Sequence, residues 1–426
     1  MVNQSIQGRR EQLDSDDLGD SAPDVAFTLA FGGDADPVGA EAIESVEPGA
    51  GPADSGVDGA PDLSELAMHS EDLLRRIAME FVNEGPADWQ HLDVLLVLTV
   101  AGGTALAYFT GADETMVQAQ PPTPVIELAH EHRTVSAELT GRPWWRLMVR
   151  FTAAAELFVD YDYGDEPIPA DDRLPAEAYE ADLQAFPRER VPVWLGAYLD
   201  QTGRQLRSPE EAAEYAMAER GRCARTDELP PLPELWARWA VISAAFVAAG
   251  SGWGPRMLLA TGWFEGSTHG GSTLHVLPGG RAVLSGGTAN AAALDAAYND
   301  GRDFPELYGG APDWVADPVL NVRAQQGLLS FCYWWDGDGW QHSGSPIAAQ
   351  ISDAVPGIWT ADTVIDVVST ALAAERGQVA ALLDAAESGA VTRELLTKVL
   401  GDDDRFAFAK AWYQLSLAGV ISRDAA

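Results

Sequence analysis

Acidic side chains gather at Asp160, Asp162, Asp165 and Glu166, with Tyr161 and Tyr163 interleaved. Paired carboxylates can act as general acid and base. Among 65 acids such pairs arise by chance, and no histidine stands near this one in sequence. The run His269-Gly-Gly-Ser-Thr-Leu-His275 offers two imidazoles but no third ligand, which makes a poor metal site. Its glycines read as an exposed loop. Ser285-Gly-Gly-Thr288 is glycine-rich and precedes an expected helix, yet lacks the lysine that a phosphate loop supplies. Cys223 and Cys332 form neither a disulfide framework nor a zinc site, and Cys332, amid bulky aromatics, reads as an inert buried thiol. The residues therefore point to a binding protein and not an enzyme, with no catalytic residue, no metal and no cofactor expected.

Charge narrows the partners. There are 65 acidic residues against 27 basic ones, a net charge of -38. That sign opposes a nucleic-acid backbone and an anionic membrane surface. It favours basic proteins, because complementary fields speed encounter. No stretch approaches the ~20 apolar residues that span a bilayer, and no apolar core follows Arg9-Arg10 as in a secretory signal. The expected location is the cytoplasm. Oligomeric state is not legible.

In a strand, Asp160 and Asp162 share one face while Tyr161 and Tyr163 share the other. Asp165 and Glu166 extend the negative patch into a turn. Such a row, with aromatic neighbours, can mimic a phosphate backbone and fill a basic cleft. The adjacent pairs Trp144-Trp145 and Trp334-Trp335 each place one ring toward the core. The other ring is an interface anchor or lies under a helix. Trp144, Trp145, Asp160, Asp162, Asp165 and Glu166 are thus the candidate partner-binding residues.

These residues stand in a recognisable order. Gly141-Arg-Pro-Trp-Trp145 leads into a strand, and Phe158-Val-Asp-Tyr-Asp-Tyr-Gly-Asp-Glu-Pro167 follows. Tyr179-Glu-Ala-Asp-Leu183, Phe186-Pro-Arg188 and Trp194-Leu195 come next. The order resembles the YezG-like family of bacterial immunity proteins over residues 63–200. The resemblance implies a small α/β domain that neutralises a protein toxin, often a nuclease, by direct binding. A secretion-associated adaptor that holds an effector without inhibiting it is the alternative.

The chain around this segment reads as an α+β protein in several parts. Residues 1–62, with 14 acids and two arginines, form a tail expected to be disordered. Residues 63–200 form the immunity-type domain with an antiparallel sheet. In it, helices are expected over Leu63–Val82, Val125–Leu139 and Glu177–Phe186. A strand from His91 to Ala101 turns at Gly102-Gly103 into Thr104–Thr110, and Trp144–Phe151 pairs with Leu157–Tyr163. Residues 201–231 read as a linker. A second α+β domain covers 232–372. It opens with a helix bearing Trp236 and Trp239. Strands are expected at Met257–Trp263, His275–Leu277, Ala282–Ser285 and Leu328–Trp335, with a helix at Ala289–Asn299. Residues 373–426 are helical, with apolar positions at Leu382, Leu383, Leu395, Leu396, Val399, Phe406 and Leu415. They make a subdomain or a cap on the second domain.

Overall fold

The computed structural model describes residues 63–422, apart from 84, 201–202, 219–221 and 402–404. The expected tail, 1–62, lies outside the described residues. Among those described, the fold is mixed α+β, with two antiparallel sheets and a helical C-terminal segment.

The first half starts with α1 (Leu63–Val82), whose Leu73, Leu74, Ile77 and Phe81 recur at helical spacing and are buried. Strands β1 (Trp89–Thr99), β2 (Gly102–Gly111) and β3 (Met116–Ala119) follow, then α2 (Thr123–Thr140), with Pro124 in its first turn. Strands β4 (Arg146–Thr152) and β5 (Leu157–Asp162) complete a sheet of order β3-β2-β1-β4-β5. Its alternation is strict. Leu92, Val94, Leu96 and Leu98 meet Leu147 and Val149 on the face covered by α1 and α2. Val97 faces the other way, toward α3 (Ala176–Ala185) and α4 (Val193–Leu199). The β1–β2 turn lies at Val100-Ala101, one step earlier than the glycines suggest. Gly103 pairs with Leu98 in the ladder, where a Cβ would overlap the Leu98 side chain and the Val97 carbonyl.

The segment expected to be a linker carries α5 (Pro209–Ala218) and β6 (Ala224–Thr226). Gln205 also clasps the backbone of Leu329 in both directions, at 2.7 and 3.0 Å. After α6 (Leu232–Ala248) come β7 (Arg256–Leu258), β8 (Thr261–Glu265), β9 (Gly271–Leu277) and β10 (Arg281–Gly287). Met257–Trp263 is therefore a hairpin and not one strand. Leu259 adopts a left-handed φ of 55° at its turn, where no glycine marks the bend. Then follow α7 (Ala292–Asn299), α8 (Val322–Gln325), β11 (Phe331–Trp335) and β12 (Trp340–His342), giving a sheet of order β6-β12-β11-β10-β9-β8-β7.

One face of this sheet packs on α6, α9 (Ala361–Leu372), α10 (Arg376–Glu387), α11 (Arg393–Leu400) and α12 (Arg405–Leu417). Leu382, Leu383, Leu396, Val399 and Leu415 join Trp239, Leu274 and Phe331 in one core, so the C-terminal helices cap the second sheet. Leu395 is half-buried against this core, and the Phe406 side chain lies outside the described residues. The opposite face buries Val283, Cys332 and Trp334 under the Leu307–Leu329 segment. The two halves are joined where Val193 of α4 packs with Ala291 and with Leu294 of α7. There Asn299 exchanges hydrogen bonds with the backbone of Val191 at 2.8 and 3.0 Å. No helix of the described residues is long and apolar enough to cross a membrane.

Candidate functional site

The segment from Trp144 to Glu166 divides into a buried half and an exposed half. Trp144 and Trp145 are both 0% exposed, on opposite faces of the sheet. Their expected role as partner anchors is corrected: both rings are core. Trp145 Nε1 donates to Asp182 Oδ2 at 2.7 Å, and Arg133 Nη2 donates to the same oxygen at 2.6 Å. Asp182 Oδ1 accepts from the Val100 amide at 2.9 Å, and Arg133 Nε donates to the Trp144 carbonyl at 2.7 Å. A fully paired buried ion pair thus fixes the tryptophan step to α2 and α3. On the other face, Trp144 Nε1 donates to His132 Nδ1 at 3.2 Å. His132 Nε2 lies 3.0 Å from Ser70 Oγ and 3.3 Å from the Tyr161 hydroxyl. Burial pushes His132 down to about 4, so the ring is neutral at pH 7.

Asp162 is likewise not an interface acid. It is 7% exposed, lies 3.0 Å from Arg146 and accepts the amides of Gly164 and Asp165 at 2.7 and 3.0 Å. It closes the turn that follows β5, and its expected place in a solvent-facing patch is corrected. Burial raises its pKa, with Arg146 and the Gly164 amide opposing. Asp160, Asp165 and Glu166 are exposed. Glu166 lies 2.8 Å from Arg146 and 3.9 Å from His269.

Strand β5 forms an edge of the first sheet. On Asp160's face, two residues earlier, Phe158 is 57% exposed. The sequence reading missed it, although the alternation that paired Asp160 with Asp162 places it there. On the opposite face Leu157, Val159 and Tyr161 run along a groove of about 350 Å³, walled by Ser70, Leu74 and Leu139. Arg75 and Glu71 at its wall form a 2.7 Å ion pair. Among the described residues the edge therefore offers free strand backbone, an apolar groove on one side, and Phe158 with Asp160 on the other.

A second concavity lies between the halves. Pro167, Arg173 and Trp194 come from the first half, and Trp263, Glu265, His269 and Thr273 from the β8–β9 region. Thr288 and Arg323 complete a cavity of about 310 Å³. Ser272 and Ser285 line it too. Both motifs that the sequence reading set aside thus converge here. His269 is half-buried, contrary to the exposed loop expected, and holds a left-handed φ of 61° in the 266–270 turn. His275 instead bonds Thr261 Oγ1 through Nδ1 at 3.0 Å, so the two histidines form no common site. Arg323 Nη2 reaches both oxygens of Glu265, at 2.9 and 2.7 Å. This fit requires Gly271, where a Cβ would collide with both side chains. Burial raises the Glu265 pKa, against the pull of Arg323.

Cys332 is fully buried, and burial pushes its thiol up. Among the described residues, no group of three His, Cys, Asp or Glu is placed to hold a metal ion. Comparison with known proteins adds no further constraint: no protein-family model matches the chain, and no curated protein matches it.

Proposed function

We propose that this chain is an immunity-like protein that binds a basic protein effector by strand addition at β5 and occludes its active surface. The carrying observation is the β5 edge: strand backbone unpaired among the described residues beside an apolar groove, with Phe158 and Asp160 outward. Strand addition takes affinity from main-chain hydrogen bonds and specificity from pockets for alternate side chains. The matching partner strand carries apolar residues toward Val159 and Tyr161, and basic or aromatic residues toward Phe158 and Asp160. Asp165 and Glu166 extend the field beyond the strand end, and the net charge of -38 steers a basic partner. The resemblance of residues 63–200 to YezG-like immunity proteins supports the same reading, with the encounter in the cytoplasm.

Affinity capture tests it. Immobilised chain is compared with a Phe158→Glu, Asp160→Lys variant, captured proteins are identified by mass spectrometry, and each is assayed with and without the chain. A basic protein enriched by the wild type, lost from the variant and inhibited by the chain is expected. Equal capture by both forms would show that β5 is not the interface, and an uninhibited partner would favour the adaptor reading.

A further inference from the structure

The cavity between the halves has an electrostatic character opposite to that of the molecule around it. The chain carries -38, yet the charged groups lining the cavity are Arg173, Arg323 and Glu265, with His269 alongside. Arg323 and Glu265 neutralise one another in a two-oxygen pair. Arg173 makes no ion pair among the described residues. Its Nε and Nη2 both donate to the Ile168 carbonyl, at 3.2 and 2.8 Å, and its guanidinium lies over Trp194 and Tyr198. Nη1 is left without a partner among the described residues. In a chain with more than two acids for every base, an arginine held in place by a carbonyl and two rings, and not by a carboxylate, has a donor to spare.

The rest of the cavity suits a small organic body. Trp263 is 37% exposed at the wall, and Trp194, Pro167 and Leu328 supply further apolar surface. The Thr273 and Thr288 hydroxyls form no hydrogen bond among the described residues. A volume of about 310 Å³ falls at the small end of ligand pockets, which favour seams between halves of a fold. Guanidinium groups recognise planar carboxylates.

We propose that this cavity binds a small aromatic carboxylate, its ring against Trp263 and its carboxylate on Arg173, with the threonine hydroxyls as further donors. The proposal is independent of the β5 interface.

Calorimetric titration of the full chain with phenylacetate tests it, with 2-phenylethanol as the uncharged counterpart. Saturable one-to-one binding is expected, at least tenfold weaker for the alcohol. Arg173→Gln should weaken phenylacetate at least tenfold. Since Arg173 also holds the Ile168 carbonyl, a second variant guards against misfolding: Thr273→Leu fills the cavity, leaves Arg173 in place and should lose binding by a similar factor. Inorganic phosphate should not displace the probe at equal concentration. Absence of saturation at millimolar phenylacetate, equal affinity for the alcohol, displacement by phosphate, or full binding by Thr273→Leu would each overturn the proposal.

Discussion

The β5 edge and the cavity beside His269 treat charge in opposite ways. At β5, Asp160 stands in water, where screening leaves an acid little energetic weight. In the cavity, Glu265 is partly withdrawn from water and matched by Arg323, while Arg173 is stacked and unmatched by any acid among the described residues. In so acidic a chain an exposed carboxylate distinguishes little, because most surface positions can carry one. What is informative is the departure from that background: a bare Phe158 on an edge strand, or a guanidinium without its carboxylate. The acid that looked most like part of the patch, Asp162, behaves like the cavity's charges, being buried and paired.

The largest expected effect lies at Asp182, which holds Arg133 and the Trp145 indole. Asp182→Ala strips the buried Arg133 of its charge partner and leaves the Trp145 indole and the Val100 amide unpaired. Removing one member of a buried pair costs about 3–5 kcal/mol. Urea denaturation should show a loss of that size. A loss below about 1 kcal/mol would mean that this ion pair does not fix the tryptophan step to α2 and α3.

The next effect is set by pH. His132 has a folded pKa of about 4, below the ~6.5 of an unfolded histidine. Its contribution is therefore complete above pH 6.5 and is lost as pH falls toward 4. The full span is about 3 kcal/mol. His132→Gln should be less stable than the wild type at pH 7, and the gap should shrink as pH drops to 4. A gap constant across that window would show that His132 does not titrate between folded and unfolded states.

Local periodicity made much of the fold legible. The spacing of Leu73, Leu74, Ile77 and Phe81 set α1, and alternation in β4 and β5 set their pairing, because burial on one face imposes the period directly. The β7–β8 hairpin was not legible, since Leu259 takes its left-handed turn without glycine or asparagine to announce it. Sites followed the same rule. Asp160 and Phe158 are close in sequence, so alternation alone could place them together. Arg173, Trp194, His269 and Arg323 meet only after two sheets form and α4 docks on α7. No spacing encodes that encounter. The burial of Asp162 was hidden for a related reason: what covers it is the 163–166 turn folding back over Arg146.

Two neighbouring acids now provide a finer comparison. Asp162→Ala removes the acceptor of the Gly164 and Asp165 amides and the partner of Arg146, and stranded buried groups cost about 1–3 kcal/mol. Asp160→Lys touches no such network and should change stability by less than about 0.5 kcal/mol. Thermal melts of the two variants side by side should therefore separate clearly, although the residues are two apart on one strand face. Equal losses would return Asp160 to the structural framework and remove it from the interface.

The smallest expected change in stability is also the one most directly tied to function. Phe158→Glu alters an exposed side chain on an edge strand, and the folded chain loses little contact by it. Its melting temperature should stay close to that of the wild type, in line with a change under about 0.5 kcal/mol. The partner should notice far more, because an aromatic covered on binding can act as an anchor and its loss can exceed 2 kcal/mol. A ratio of that kind, with dissociation constants at least tenfold apart at nearly equal stability, is expected at an interface and not at a core position. Backbone exchange gives an independent reading. Amides along the outer edge of β5 should gain protection when the partner adds a strand, while those of the central strand β1 are already held by two neighbours and should change little. Protection gained at the other edge, β3, where Met116 and Val117 are exposed, would move the interface across the sheet.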